Sequence, residues 1–213
     1  MESHLDQRLL YLKKSENLHN EVFLKLTKAY GGSVYPVDLL AFAVIHRSIN
    51  LVKGFAILVE NRNFISAAPL LRLQIDNCLR FYAVYLVPDP HKFATDILKG
   101  ARIAKMKDKT GACMTDRYLA SRLTEHHSWI TQVYDRTSGY IHLSEAHIFN
   151  TFAQPTAENS KEKSQTISVG PGDNFVDDRF YEEAVEAFIE ATNVLFKYLV
   201  GWLHTKENPP QPA

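Results

Sequence analysis

The sequence predicts an all-α fold, a bundle of four to five main helices with a small β-hairpin inserted before the last helix. Apolar residues recur at intervals of three and four along most of the 213 residues, which is the period of core-facing helices. Glycines, prolines and capping residues separate these segments. One later stretch alternates with period two, as strands do. The length suits a single domain, expected over residues 1–207, followed by a proline-rich, disordered tail over 208–213.

The first two helices are marked by their end signals. Ser3 is a good N-cap for a first helix that is expected to end near Tyr30, before the Gly31–Gly32 pair. Pro36 suits the first turn of a second helix, because its ring fixes a helical φ where no backbone N–H is needed. The apolar positions of that helix, up to Val59, repeat at i, i+3 and i+4.

The middle of the chain predicts two more helices. After the polar segment 60–63, a third helix is expected to continue to Leu86. Pro69 lies within it, so this helix either starts near the proline or is kinked there. A short helix is expected from His91 to about Lys99.

The second half predicts a helix, a hairpin and a last helix. Thr115 is expected to cap a helix that continues through Val133. Residues 147–152 and 165–169 alternate with period two, which predicts a β-hairpin over about 147–170. Asp177 and Asp178 are expected to cap the last helix. Its inward positions are expected to be Phe180, Ala184, Ala187, Phe188, Ala191, Leu195, Tyr198 and Trp202.

Composition excludes several classes of protein. The 24 Lys and Arg residues balance 24 Asp and Glu residues, so a protein that coats polyanions in general is not expected. Contact with nucleic acid would need a local patch, and the basic run could supply one, although a solvated helix face would also account for it. That run is Lys99, Arg102, Lys105, Lys107 and Lys109.

The cysteines and the apolar runs indicate a compartment. Cys78 and Cys113 are too few for a disulfide scaffold and are expected to be reduced thiols. The first residues lack the layout of a secretion signal, and no apolar run is read as a membrane span. We therefore expect a soluble, cytoplasmic protein with no membrane partner.

A charged stripe crosses the otherwise apolar third helix. Arg72, Asp76 and Arg80 stand at i, i+4 and i+8, so they share one face. Buried charges are costly unless they are paired, and Asp76 can pair with either arginine. The stripe is therefore either a structural salt bridge between helices or the lining of a cleft, where the second arginine would hold an anionic ligand.

Arg136 and His142 form the most informative motif. A guanidinium is a fixed cation suited to phosphate oxygens, and an imidazole can move a proton near neutral pH. Along an ideal helix their side chains would diverge by about 120°. They could converge if the helix broke at Gly139, or if two copies met across a dimer axis. Alternatively, Arg136 is a surface residue and His142 a polar group near a helix end.

This motif resembles the mark of the HEPN superfamily of all-α domains, an arginine followed after four to six residues by a histidine. Here five residues intervene. The wider pattern, with residues 70–76 and then Tyr134, Ser138 and His142, resembles a bacterial HEPN-like family of unknown function over about residues 36–204. The resemblance implies a homodimer in which Arg136 and His142 form a ribonuclease site shared between two protomers. Toxin and phage-defence proteins are the implied context.

The implied chemistry needs neither a metal nor a cofactor. His142 would move the proton of a ribose 2′-hydroxyl or of the leaving oxygen, and Arg136 would stabilise charge on the phosphoryl oxygens. Ser138 and Tyr140 could position the phosphate. RNA or a nucleotide is the expected ligand.

Two alternatives stay open. A non-catalytic binding protein would hold a nucleotide or another small anion in a cleft lined by Arg72, Asp76 and Arg80. A purely structural dimer would satisfy all these charges internally. Metal sites have weaker support, because the Glu16–His19 segment has the Glu-x-x-His spacing of di-iron bundles without a second copy.

Overall fold

The computed structural model describes residues 3–141, 144–151, 167, 169–170, 172–173 and 175–208, and among them the fold is all-α. The α-helices in chain order are α1 (His4–Lys28), α2 (Pro36–Glu60), α3 (Phe64–Tyr82), α4 (Pro90–Leu98), α5 (Asp116–Thr124), α6 (Ile130–Ser138), α7 (Glu145–Thr151) and α8 (Asp178–Glu207). Short 3₁₀ turns follow α1, α3 and α4. The all-α prediction is thus confirmed.

The core lies between the four long helices α1, α2, α3 and α8. Each of α1 and α3 contacts both α2 and α8. At the centre, the rings of Phe55 and Phe188 stack with centroids 4.3 Å apart. Phe81 and Tyr181 are also fully buried. The shorter helices cover this core, with α4 against α2, and α5 and α6 against α3.

The predicted ends of the first two helices are confirmed. Ser3 and Asp6 form a reciprocal capping box at the start of α1. The chain then reverses through Gly31 and Gly32, whose φ angles of 66° and 80° are costly for residues that have a Cβ. Pro36 is the first residue of α2, as predicted.

Helix α3 runs through Pro69 and begins well before it, at Phe64. The proline removes one backbone hydrogen bond, but the helix start is held from outside. The carboxylate of Asp173 accepts hydrogen bonds from the backbone N–H groups of Phe64 and Ile65 and from the Tyr181 hydroxyl. This buried cap links α3 to α8. The helix ends at Tyr82, four residues before the predicted end.

The predicted helix from Thr115 through Val133 is wrong in its length. Thr115 does cap α5, but α5 ends at Thr124 and α6 begins at Ile130. The two helices contact each other, and both contact α3. One straight helix could not pack against itself in this way. The turn between them therefore lets both segments cover α3.

The predicted β-hairpin is also wrong in its first strand. Residues 145–151 form helix α7, whose first bonds run from the N–H groups of His147 and Ile148 to the Ser144 carbonyl. Alternation over six residues is too short to exclude a helix, and Ile148 is exposed rather than packed in a core. Most of the second strand, and residues 209–213 of the predicted tail, lie outside the described residues.

Helix α2 is the one described helix that is long and apolar enough, by length and composition alone, to cross a membrane. The sequence analysis predicted no membrane-spanning segment. A core helix has the same composition, and α2 packs against α1, α3 and α4. Its first turn carries Asp38, which is fully buried and paired with Lys206 of α8. Packing in the bundle buries 39% of the apolar window of α2 and so accounts for part of its apolar character.

Candidate functional site

The charged stripe of α3 is largely neutralised within the molecule. Asp76 accepts hydrogen bonds from Arg80 (3.0 Å from Nε to Oδ1) and from Arg47 of α2 (2.9 Å from Nη1 to Oδ2). Arg80 also reaches Asp116 at the start of α5, 2.5 Å away. Arg47 further donates to Asn77 at 2.8 Å. The geometry of Asp76 and Arg80 is thus that of a structural ion-pair network joining α2, α3 and α5.

Arg72 is the arginine of the stripe that stays outside this network. Its guanidinium carbon lies 3.7 Å from the centre of the Tyr134 ring, on α6. It forms no ion pair with any residue that the structure describes. A guanidinium over an aromatic face is attracted to the ring through its charge and does not need its N–H groups for that contact. Arg72 is therefore a half-buried, oriented guanidinium without a carboxylate partner in the described chain.

Arg136 lies on a different side of α6. Tyr134 and Arg136 are two residues apart, which places their side chains about 200° apart around the helix. The Arg136 side chain is 59% exposed, and its Nη2 atom is 3.6 Å from a carboxylate oxygen of Glu183 on α8. The structure therefore does not bring Arg136 together with Arg72, Asp76 and Arg80.

Two depressions adjoin Arg136. One, of about 230 Å³, is mostly apolar and is lined by residues such as Phe64, Leu71 and Tyr140. The other is strongly acidic, because four carboxylates of α8 line it beside Arg136 and Arg8. Those four are Glu182, Glu183, Glu186 and Glu190. A phosphate would therefore meet like charge next to Arg136 in a single protomer.

The other predicted residues of the motif make separate structural contacts. The Ser138 hydroxyl donates to the Tyr134 carbonyl at 2.7 Å, one turn back. Tyr140 packs edge-on against Phe64, with centroids 5.5 Å apart. Helix α6 ends at Ser138 and Gly139 is its C-cap, so the helix stops where the sequence predicted a break, although Gly139 keeps a right-handed conformation (φ −63°, ψ −20°). His142 lies outside the described residues, and its pairing with Arg136 stays a prediction.

The basic run forms an ordered loop, so the solvated-helix interpretation is wrong. Only residues 103–105 make a single 3₁₀ turn. Asp108 holds the loop by accepting bonds from the N–H groups of Thr110 (2.8 Å) and Ala112 (3.0 Å) and from the Tyr118 hydroxyl (2.5 Å). The five cations are exposed, and none of them pairs with a carboxylate in the part of the chain that the structure describes. They are Lys99, Arg102, Lys105, Lys107 and Lys109.

Among the described residues, no group of three or more His, Cys, Asp or Glu side chains lies close enough together to hold a metal ion. His19, from the Glu-x-x-His spacing, is fully buried. Its Nδ1 atom is 2.7 Å from the Ser15 carbonyl oxygen, and its Nε2 atom is 2.7 Å from the Ser48 hydroxyl. Both ring nitrogens are therefore already bonded within the bundle.

The fold and these contacts define an all-α helical bundle with one unpaired arginine on α3 and an adjoining basic loop. No protein-family model matches the chain, and neither a curated protein nor a solved structure matches it significantly. The HEPN-like resemblance therefore rests on the sequence motif.

Sequence reasoning missed Arg47 and Asp116 as members of the network. The one signal for Arg47 was a charge in the middle of the largely apolar α2, and Asp116 had only its place in the first turn of α5.

Proposed function

We propose that this protein is an RNA-directed, HEPN-like helical bundle that binds the phosphate backbone of RNA at Arg72. The observation that carries the proposal is the stack of Arg72 on Tyr134, in which the guanidinium has no carboxylate partner among the described residues. A guanidinium recognises phosphate oxygens through two parallel hydrogen bonds. Because the ring already holds Arg72 in place, little side-chain freedom is lost when a phosphate binds.

Neighbouring positive charge supports the same surface. Arg80, two turns further along α3 and about 12 Å from Arg72, is itself neutralised by Asp76 and Asp116, but Asp116 places this end of the stripe beside the basic loop. That loop is tied to the residue after the 3₁₀ turn that follows α3, by a bond from the Lys109 N–H to the Leu86 carbonyl, 2.9 Å long. The cations of residues 99–109 thus extend the surface beyond Arg80. Phosphate contacts of this kind bind without reading sequence.

An extended ligand suits this surface better than a small nucleotide. Arg72 and Tyr134 line neither depression beside Arg136. Small molecules bind mostly in concave sites that enclose them. Arg72 and the exposed cations of the loop can instead contact separate phosphates of one strand.

Metal-independent cleavage is the second candidate function, and the exposure of Arg136 favours it. Its guanidinium is held by one carboxylate at 3.6 Å and can turn towards a partner protomer. In a homodimer, Arg136 would stabilise phosphoryl charge while His142 moves the proton. Cleavage at such a site would proceed in EDTA.

Fluorescence anisotropy with a labelled single-stranded RNA tests the binding proposal. We expect Arg72→Gln to weaken binding about 5- to 50-fold, which corresponds to a lost charged hydrogen bond of about 1–2.3 kcal/mol. The matched control is Arg179→Gln, an arginine of α8 with a 76% exposed side chain that faces Glu183. Equal affinities for the wild type and both variants would refute a role of Arg72.

Incubation of the purified protein with mixed RNA, with and without EDTA, tests cleavage separately. The second candidate predicts EDTA-resistant cleavage that is lost in both Arg136→Ala and His142→Ala. Intact RNA in every sample would refute cleavage and leave binding at Arg72 to be decided by anisotropy.

A further inference from the structure

An aromatic cavity of about 370 Å³ lies apart from Arg72 and Arg136. It is formed where α1 ends, α2 and α4 begin, and α8 makes its last turns. Four rings line it in sequence: the centroids are 6.0 Å apart for Tyr30 and Tyr35, 5.4 Å for Tyr35 and His91, and 5.4 Å for His91 and Trp202. Its size is that of small-molecule sites.

Tyr30 occupies an unfavourable backbone conformation at the edge of this cavity. Its φ is 52°, in the left-handed region that residues with a Cβ rarely adopt. The residue is 53% exposed, so burial in the core does not compensate for the conformation. Glycine follows at positions 31 and 32, where positive φ costs little. A strained and exposed tyrosine beside a cavity points to a function for its ring.

The inner end of the cavity is electrically balanced. Lys206 is fully buried and donates to Asp38 (2.9 Å) and to the Leu26 carbonyl (2.7 Å). Asp38 also accepts from the Trp202 indole N–H (2.7 Å) and from the Tyr35 backbone N–H (2.8 Å). These bonds fix the Trp202 ring and the backbone of Tyr35. Because the ammonium and the carboxylate cancel, the cavity favours an uncharged ligand over a free ion.

One polar atom of the cavity wall lacks a partner. The Nδ1 atom of His91 is buried and has no hydrogen-bond partner among the described residues. Buried polar atoms are nearly always bonded, so this nitrogen is free to bond a group that enters the cavity. A ligand with a ring nitrogen or an amino group could supply it after a small rotation of the imidazole.

We propose that this cavity binds a small, uncharged aromatic heterocycle of the nucleobase or nucleoside type. Flat heterocycles stack well on tyrosine and tryptophan rings, and the stacking does not need a charge. The polar edge of the heterocycle would face His91 and the Asp38–Lys206 pair. This site does not include Arg72, so ligand binding here and RNA binding are tested separately.

Intrinsic fluorescence tests the site directly. The chain has two tryptophans, and Trp129→Phe leaves Trp202 as the reporter inside the cavity. Titration with adenosine is expected to quench Trp202 and to saturate at submillimolar concentration. Ribose 5-phosphate, which has no aromatic ring, is expected to leave the emission unchanged. Absence of saturable quenching by adenosine up to several millimolar would overturn the proposal.

Tyr30→Gly, made in the same Trp129→Phe background, assigns the binding to the ring of Tyr30. Glycine adopts the positive φ freely, so the thermal midpoint is not expected to fall, while adenosine binding should weaken at least tenfold. Tyr11→Ala, which removes an equally exposed tyrosine of α1, is the control and should bind adenosine normally. Undiminished binding by Tyr30→Gly would place adenosine elsewhere and overturn the proposal.

Discussion

At the scale of single residues, the arginines of α3 differ because of their partners and not because of their chemistry. Asp76 lies between Arg47 and Arg80 and neutralises both in part, whereas Arg72 meets an aromatic ring. The sequence spacing predicted that Asp76 could pair with one arginine and leave another over. It could not predict the choice, because Arg47 and Asp116 reach the stripe only through the tertiary fold.

Asp76→Ala should destabilise the protein by about 1–3 kcal/mol, because it leaves two arginines without a shared carboxylate. The Asp76 side chain is only 17% exposed. Urea unfolding measures the change. The control is Asp96→Ala, which breaks the exposed pair with Lys92 and should cost much less than Asp76→Ala. Equal costs for the two substitutions would contradict a structural role for Asp76.

At the scale of helices, the sequence predicted where helices begin better than it predicted the type of a short element or which residues are buried. Ser3, Pro36, Thr115 and Asp177 act at helix starts as expected, because a cap is a local interaction between residues a few positions apart. The hairpin prediction failed where six alternating residues were the only signal. Phe180, expected to face inward, is 41% exposed, because its neighbour Tyr181 takes the buried position in the first turn of α8.

A buried polar network joins the four long helices. His19 of α1 bonds to Ser48 of α2, and Gln74 of α3 donates to both Ser48 (2.7 Å) and Thr192 of α8 (3.1 Å). Burial lowers the pKa of His19, because the imidazole would have to carry its charge away from water. The hydrogen bond with the Ser15 carbonyl opposes this effect but does not outweigh it.

This network predicts a loss of stability in acid. The unfolded chain binds a proton at His19 near pH 6.5, while the folded protein binds it only at lower pH. Stability should therefore fall as pH drops below about 6.5, by at most about 1.4 kcal/mol per pH unit for this group. Urea unfolding at pH 7.5 and 5.5 measures it. His19→Gln should reduce the pH dependence, and an unchanged dependence would contradict this assignment.

At the scale of the whole molecule, opposite charges cancel in number but not in position. The starts of α3 and α8 lie together, as the contact of Phe64 with Tyr181 shows (centroids 5.2 Å apart), and the acidic residues 182–190 belong to that end. The basic loop joins the other end of α3, about 28 Å away. A polyanion would therefore be attracted to one end of the bundle and repelled from the other.

The salt dependence of RNA binding tests the central claim most directly. The logarithm of the association constant for single-stranded RNA should fall linearly with the logarithm of salt concentration, by about 0.7 for each phosphate contacted. Arg72→Gln should make this slope shallower by about 0.7, while Arg179→Gln should leave it unchanged. A slope near zero for the wild type, or an identical slope in Arg72→Gln, would contradict phosphate binding at Arg72.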